Sequence, residues 1–149
     1  ASTSGFLVAA VDKIYLNFLE GLPPQIRDRI AFHQKLVHDF QIDSDTNLAI
    51  IVTRLIQYLP FHEVKELFGR SAEGLVINGI LMINYTASGG IFDRSEVDVE
   101  KFQHPSQRVR EELLRTGLDM VLFQSGTNKS THTPYEAPAE TYEILAQKK

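Results

Sequence analysis

The chain has 149 residues, of which 43% are hydrophobic and 23% charged, and it contains no cysteine. That is enough apolar material to fold as one domain, and it excludes disulfides, thiolate metal sites, iron–sulfur clusters and cysteine nucleophiles. A formal net charge of −4 argues against nucleic acid as a partner, because neutralising phosphates supplies most of the affinity of such modules.

No apolar run reaches the ~20 residues that a membrane-spanning helix needs, so no membrane span is expected. Gly5–Val11 is short and lacks the basic lead-in of a signal peptide. The compartment is left open, a removed leader included.

Thr3 or Ser4 caps a predicted first helix that runs to about Glu20, with Leu7, Val11, Ile14 and Phe18 as its apolar stripe. Gly21 closes it, and Pro23-Pro24 restart the chain into a second helix that ends near Phe40. Ile26, Ile30, Val37 and Phe40 share one face of that helix, and His33 falls among them. Asp43-Ser44-Asp45 cap a third helix, Thr46–Leu59, whose Leu48, Ile51, Val52, Leu55 and Leu59 make a wide apolar face. Pro60 marks its end, and a short fourth helix, Phe61–Phe68, is closed by Gly69.

Ser71–Gly90 is the most uniformly apolar stretch. As a helix it starts at Ser71 and stops at Gly89. As strands it is a hairpin over Leu75–Ile83, with Asn78-Gly79 supplying the positive φ angles of a type I′ turn. Its apolar residues do not alternate, which favours the helix. Asp93–Gln103 is acidic and fits a short helix. A clearer helix opens at His104-Pro105-Ser106 and runs to Thr116, with Arg108/Glu112 and Glu111/Arg115 as opposite charges one turn apart. After Gln124 the chain is rich in Ser, Thr and Pro and reads as an extended tail. The predicted architecture is therefore mainly α: a single helical domain of five to seven helices over residues 1–123, and an extended C-terminal tail over 124–149. The alternative is α+β with the hairpin at Leu75–Ile83.

The five histidines have no standard metal-ligand spacing, and the acidic run Asp93, Glu96, Asp98, Glu100 lacks the glycine and terminal glutamate of an EF-hand loop. Gly-x-Gly-x-x-Gly, the Walker loop and the Gly-x-Ser-x-Gly elbow are all absent. No metal and no cofactor is expected. His33, on an apolar face, is the candidate general base, although a core histidine bonded to a backbone carbonyl is the commoner use of such a residue. Asn78 and Asn84 interrupt the apolar stretch and need polar partners if buried, either from a ligand or from a neighbouring helix.

Two functional classes follow. The favoured one is a non-catalytic interaction or structural subunit that binds a protein partner or a second copy of itself through apolar helix faces and the tail. The alternative is an enzyme or a binder of an apolar small molecule, in which His33 is the catalytic candidate and Tyr58, Asn78 and Asn84 line an apolar pocket.

Overall fold

Residues 50–53, Ile-Ile-Val-Thr, are four consecutive β-branched side chains, and they lie in a strand, where branching at Cβ packs well on a pleated surface. The computed structural model describes residues 6–13, 16–93, 99–128 and 138–149, which fall into two units, residues 1–41 and 42–149.

In the N-terminal unit, strand β1 (Val8–Asp12) pairs in parallel with β2 (Ile30–Gln34), placing Asp12 opposite Gln34. Parallel strands need a crossover. Here it contains a 3₁₀ turn, Asn17–Gly21, and the single-turn helix α1 (Pro24–Arg27), with proline in its first turn. The Lys35 N–H donates to the Asp12 carbonyl at 3.0 Å, so the carboxyl ends of both strands share one edge.

The C-terminal unit is a four-stranded sheet in the order β3-β4-β6-β5. Strand β3 (Asn47–Thr53) leads through helix α2 (Phe61–Gly74) into its parallel neighbour β4 (Leu75–Ser88). Helix α3 (Ser106–Arg115) then leads to β5 (Asp119–Asn128), and β6 (Ala139–Gln147) returns antiparallel between β4 and β5. Both helices cover one face of the sheet. Val64, Leu67, Phe68 and Ser71 of α2 and Val109 and Leu113 of α3 are buried at helical spacing. Leu81, Ile83, Tyr85 and Ala87 of β4 and Tyr142, Ile144 and Ala146 of β6 alternate into the same layer. The other face is open, with Ile51 63% exposed and Ile80 and Met82 about as open as surface residues.

This architecture overturns the mainly helical expectation. The first and second predicted helices are replaced by β1 and β2 with short turns between them; the caps Thr3 and Ser4, and Ile14, lie outside the described residues. The third predicted helix is β3, and Asp43–Asp45 form the turn before it, where the Asp45 N–H donates to the Glu73 carbonyl. The stretch expected as a helix or a hairpin is neither, because Leu75–Ser88 is one continuous strand. Asn78 does adopt a positive φ, 67°, but in a bulge: Asn47 faces Leu75 and Ala49 faces Ile80, so β4 advances five residues where β3 advances two. The Asn78 N–H donates to the Lys148 carbonyl at 2.7 Å, and the Lys148 N–H to the Gly79 carbonyl at 3.0 Å. The expected tail supplies the end of β5 and the whole of β6, which is flanked on both sides. Helices α2 and α3 lie where Pro60 and Pro105 place their starts, although α2 runs on to Gly74. Glu96 and Asp98 of the acidic run lie outside the described residues.

Candidate functional site

In open α/β sheets, ligands bind beyond the carboxyl ends of the parallel strands, where loops diverge from the rigid sheet. In the C-terminal unit that edge carries the loop after β3, the turn after β4 and the segment that leads into α3.

The loop after β3 is held by an unusual number of polar contacts. Arg54 turns out of the strand with φ 49°, and its N–H is shared between the Asn84 carbonyl and the Asn84 Oδ1, both at 3.0 Å. A 3₁₀ turn, Ile56–Tyr58, follows. Gln57 is buried within it. Its Oε1 accepts the Thr86 N–H at 3.4 Å, and its carbonyl accepts the Phe102 N–H at 2.8 Å. His104, only 2% exposed, places Nε2 2.9 Å from the Ile56 carbonyl oxygen and 2.8 Å from that of Leu59. Carbonyls only accept, so Nε2 carries the proton. The His104 ring lies near those of Phe61 and Phe102, and the Arg108 guanidinium sits 3.6 Å above the Phe61 ring. Arg108 therefore caps an aromatic ring, and Glu112 pairs with Arg115 at 3.3 Å.

A second group of polar side chains stands at the same edge, where β4 ends and β6 begins. Tyr85 and Tyr142 are cross-strand partners whose rings stack 5.6 Å apart, and Tyr142 stacks in turn on Phe123 at 5.4 Å. The Tyr142 hydroxyl donates to Glu140 Oε1, and the Ser88 hydroxyl donates to Glu140 Oε2 at 2.9 Å. The bond from Tyr142, followed by that from Ser88, holds the Glu140 carboxyl below the usual carboxylate range. The same bond pushes the Tyr142 phenol up. Tyr85 is 2% exposed and its hydroxyl has no hydrogen-bond partner among the described residues. Burial, reinforced by the charges of Tyr142 and Glu140, pushes its phenol well above the ordinary range.

The residues singled out from sequence are dispersed. His33 belongs to the N-terminal unit, half-buried on β2, with its ring 5.0 Å from that of Phe40. Asn78 lies in the bulge, six residues before Asn84 on the same strand. Asn84 closes the end of β3, and Tyr58 stands 37% exposed on the loop after it. A groove of about 390 Å³ between α2 and α3 is lined by Phe61, His62, Lys65, Arg108, Glu111, Glu112 and Arg115, and one of about 170 Å³ in the N-terminal unit by Leu19, Glu20, Arg27, Ile30 and Phe32. None of the four sequence candidates lines either. Among the described residues, no group of three or more His, Asp or Glu converges as a metal site, and no helix is long and apolar enough to cross a membrane.

Sequence reasoning passed over Asp12, Gln57, His104, Glu140 and Tyr142. Two of them had a readable signal. Asp12 ends the apolar run Val-Ala-Ala-Val as an acid at a strand end, and Tyr142, Ile144 and Ala146 alternate with Thr141, Glu143 and Leu145.

No protein-family model matches the sequence, and none of the curated proteins matches it. Solved structures do. A protein of Listeria monocytogenes assigned as an S-adenosylmethionine-dependent methyltransferase is similar over 96% of this chain and 80% of its own, at 13% identity and a TM-score of 0.71. An S-adenosylmethionine-dependent methyltransferase of Mesorhizobium loti is similar over 99% of this chain and 93% of its own, at 10% identity and a TM-score of 0.66. The N-methyltransferase NodS of Bradyrhizobium japonicum, solved with S-adenosyl-L-homocysteine, is similar over 95% of this chain and 66% of its own, at 15% identity and a TM-score of 0.61.

These likenesses overturn the reading of a non-catalytic, self-associating subunit. The apolar helix faces on which it rested are strands, and its tail supplies the end of β5 and the strand β6 inside the sheet. The three structures named are methyltransferases by their titles, and at 10–15% identity what they share with this chain is the fold. The chain has the α/β fold seen in S-adenosylmethionine-dependent methyltransferases.

Proposed function

We propose that this chain acts in the transfer of a methyl group from S-adenosylmethionine to a small-molecule acceptor. The observation that carries the reading is the similarity to a methyltransferase structure over 96% of the chain, both units included. Fold alone is an analogy, and the residues at the strand ends carry the chemistry that supports it.

The carboxyl edge of the N-terminal unit fits a nucleoside. Asp12 ends β1 there, and its carboxylate is an acceptor suited to ribose hydroxyls. The turn Val37–Asp39 follows β2 at the same edge and adds a second carboxylate beside the apolar Leu36. The sequence has no Gly-x-Gly-x-x-Gly run, so the assignment concerns the nucleoside end only. When bound, the cofactor supplies an electrophilic methyl group on a sulfonium. We assign the acceptor to the carboxyl edge of the C-terminal unit, where the pinned loop after β3 presents Arg54 and Tyr58. Tyr58 is thus the sequence candidate whose position suits acceptor contact, and Asn84 supports the loop by holding the Arg54 N–H.

Calorimetric titration with S-adenosyl-L-homocysteine tests the reading. The expected result is saturable binding that Asp12→Ala weakens by about tenfold, or about 1.4 kcal/mol. Absence of binding to the folded protein would refute it.

A further inference from the structure

We propose that Tyr85, Ser88, Glu140 and Tyr142 form a binding site for an organic ammonium group, and that the acceptor molecule carries this group as an anchor distinct from the atom that receives the methyl, since an ammonium nitrogen has no lone pair. The binding claim stands on the geometry of the cluster; its place as the acceptor's anchor rests on the methyl-transfer reading.

The hydrogen-bond inventory selects the ligand. Tyr142 and Ser88 each have one hydroxyl proton, and both are spent on Glu140. Outside Tyr85, and with the Tyr142 oxygen already taken by Ser106, what the described cluster has left is acceptor capacity: lone pairs on the Glu140 carboxylate and on the Ser88 oxygen, with a full negative charge at the solvent side. Glu140 is exposed, so this charge can be reached from outside. A neutral hydroxyl would satisfy one acceptor, whereas an ammonium offers three donors and the opposite charge.

The second observation is independent of the carboxylate. Tyr85 is 2% exposed, and its hydroxyl is one of two buried side-chain polar atoms without a partner among the described residues. It faces the same cluster, because its ring stacks 5.6 Å from that of Tyr142, whose hydroxyl holds Glu140. A buried hydroxyl without a partner is destabilising, and such a cost persists where a ligand completes the set. Phenylalanine at this position would fill the same space without it. The location agrees, since the cluster stands at the carboxyl end of β4, on the edge where this fold places its ligands.

The test uses n-butylammonium chloride as the probe and n-butanol as its uncharged counterpart, with the full chain labelled at the tyrosine rings for NMR. No adenosyl compound is present, so the outcome is separate from the fate of the methyl-transfer reading. We expect saturable shifts of the Tyr85 and Tyr142 ring signals with n-butylammonium, at least tenfold weaker binding in Glu140→Gln, and severalfold weaker binding in Tyr85→Phe with no loss of thermal stability. n-Butanol is expected to bind at least tenfold more weakly. The proposal is overturned if n-butylammonium produces no saturable shift at these two rings, if either variant binds it as the wild type does, or if n-butanol matches it.

Discussion

The imidazole Nε2 of His104 lies 2.8 Å from the carbonyl oxygen of Leu59, 45 residues earlier in the chain. With its second bond to Ile56, this one side chain ties the segment before α3 to the loop after β3. Replacing it by alanine would leave two buried carbonyls without donors and open a void beneath Phe61 and Phe102. His104→Ala should therefore lower stability by about 2–4 kcal/mol, read from urea midpoints at unchanged m-value. His104→Gln should recover part of the loss, because its amide can reach one of the two acceptors.

Tyr85 should report in the alkaline range. Its phenol is held protonated in the folded chain, chiefly by burial, and ionises near its ordinary pH when the chain unfolds. The unfolded state thus loses protons first, and stability falls as pH rises above about 10. Thermal unfolding of the wild type from pH 9 to 11 should show this decline. Tyr85→Phe should decline less and keep the part that belongs to Tyr142, whose phenol is raised by Glu140.

The opposite sign applies to Glu140. Its carboxyl is held below the usual range by Tyr142 and then Ser88, so its contribution is present above that range and is lost as pH falls through its folded value. Between pH 6 and pH 3, Glu140→Gln should start from a lower melting temperature and follow a shallower acid limb than the wild type. Parallel limbs would show that the carboxylate is not held by these two hydroxyls.

Gly79 sits in the bulge of β4, where an added Cβ would meet the Val76 carbonyl oxygen at 2.8 Å and the Asn47 carbonyl oxygen at 3.1 Å. Both obstacles are backbone and cannot swing aside. Gly79→Ala should cost about 1–3 kcal/mol, measured by chemical denaturation.

The helices α2 and α3 were legible because their signals are local: prolines at their starts, Gly117 at φ 85° after α3, and apolar residues at helical spacing. The strands were misread for a physical reason. In β3 and β4 the apolar run is nearly continuous, so a 3.6-residue stripe can be found in it whichever structure it adopts. The consecutive branched residues Ile50 to Thr53 were the better guide. Asn78-Gly79 carried a true signal for a positive φ, but a bulge or a hairpin is decided by Lys148, 70 residues away, which pairs across it. The candidate site was less legible still. Gln57 and His104 acquire their chemistry from partners 29 to 48 residues distant, and Glu140 is held by Ser88, 52 residues away, as well as by its strand neighbour Tyr142; no local pattern announces the distant pairs.

The place of β6 has a kinetic consequence. Strands β4 and β5 are never neighbours, and each keeps a bare edge until residues 139–147 arrive between them. A chain lengthening from its N-terminus passes through a stage in which β3, β4 and β5 exist but cannot close into one sheet. Unpaired edges of this kind recruit other chains, and ladders between distant segments form slowly. The interval before β6 docks is where this protein is most exposed to aggregation, and a chaperone or a low expression temperature should raise the folded yield by protecting that interval.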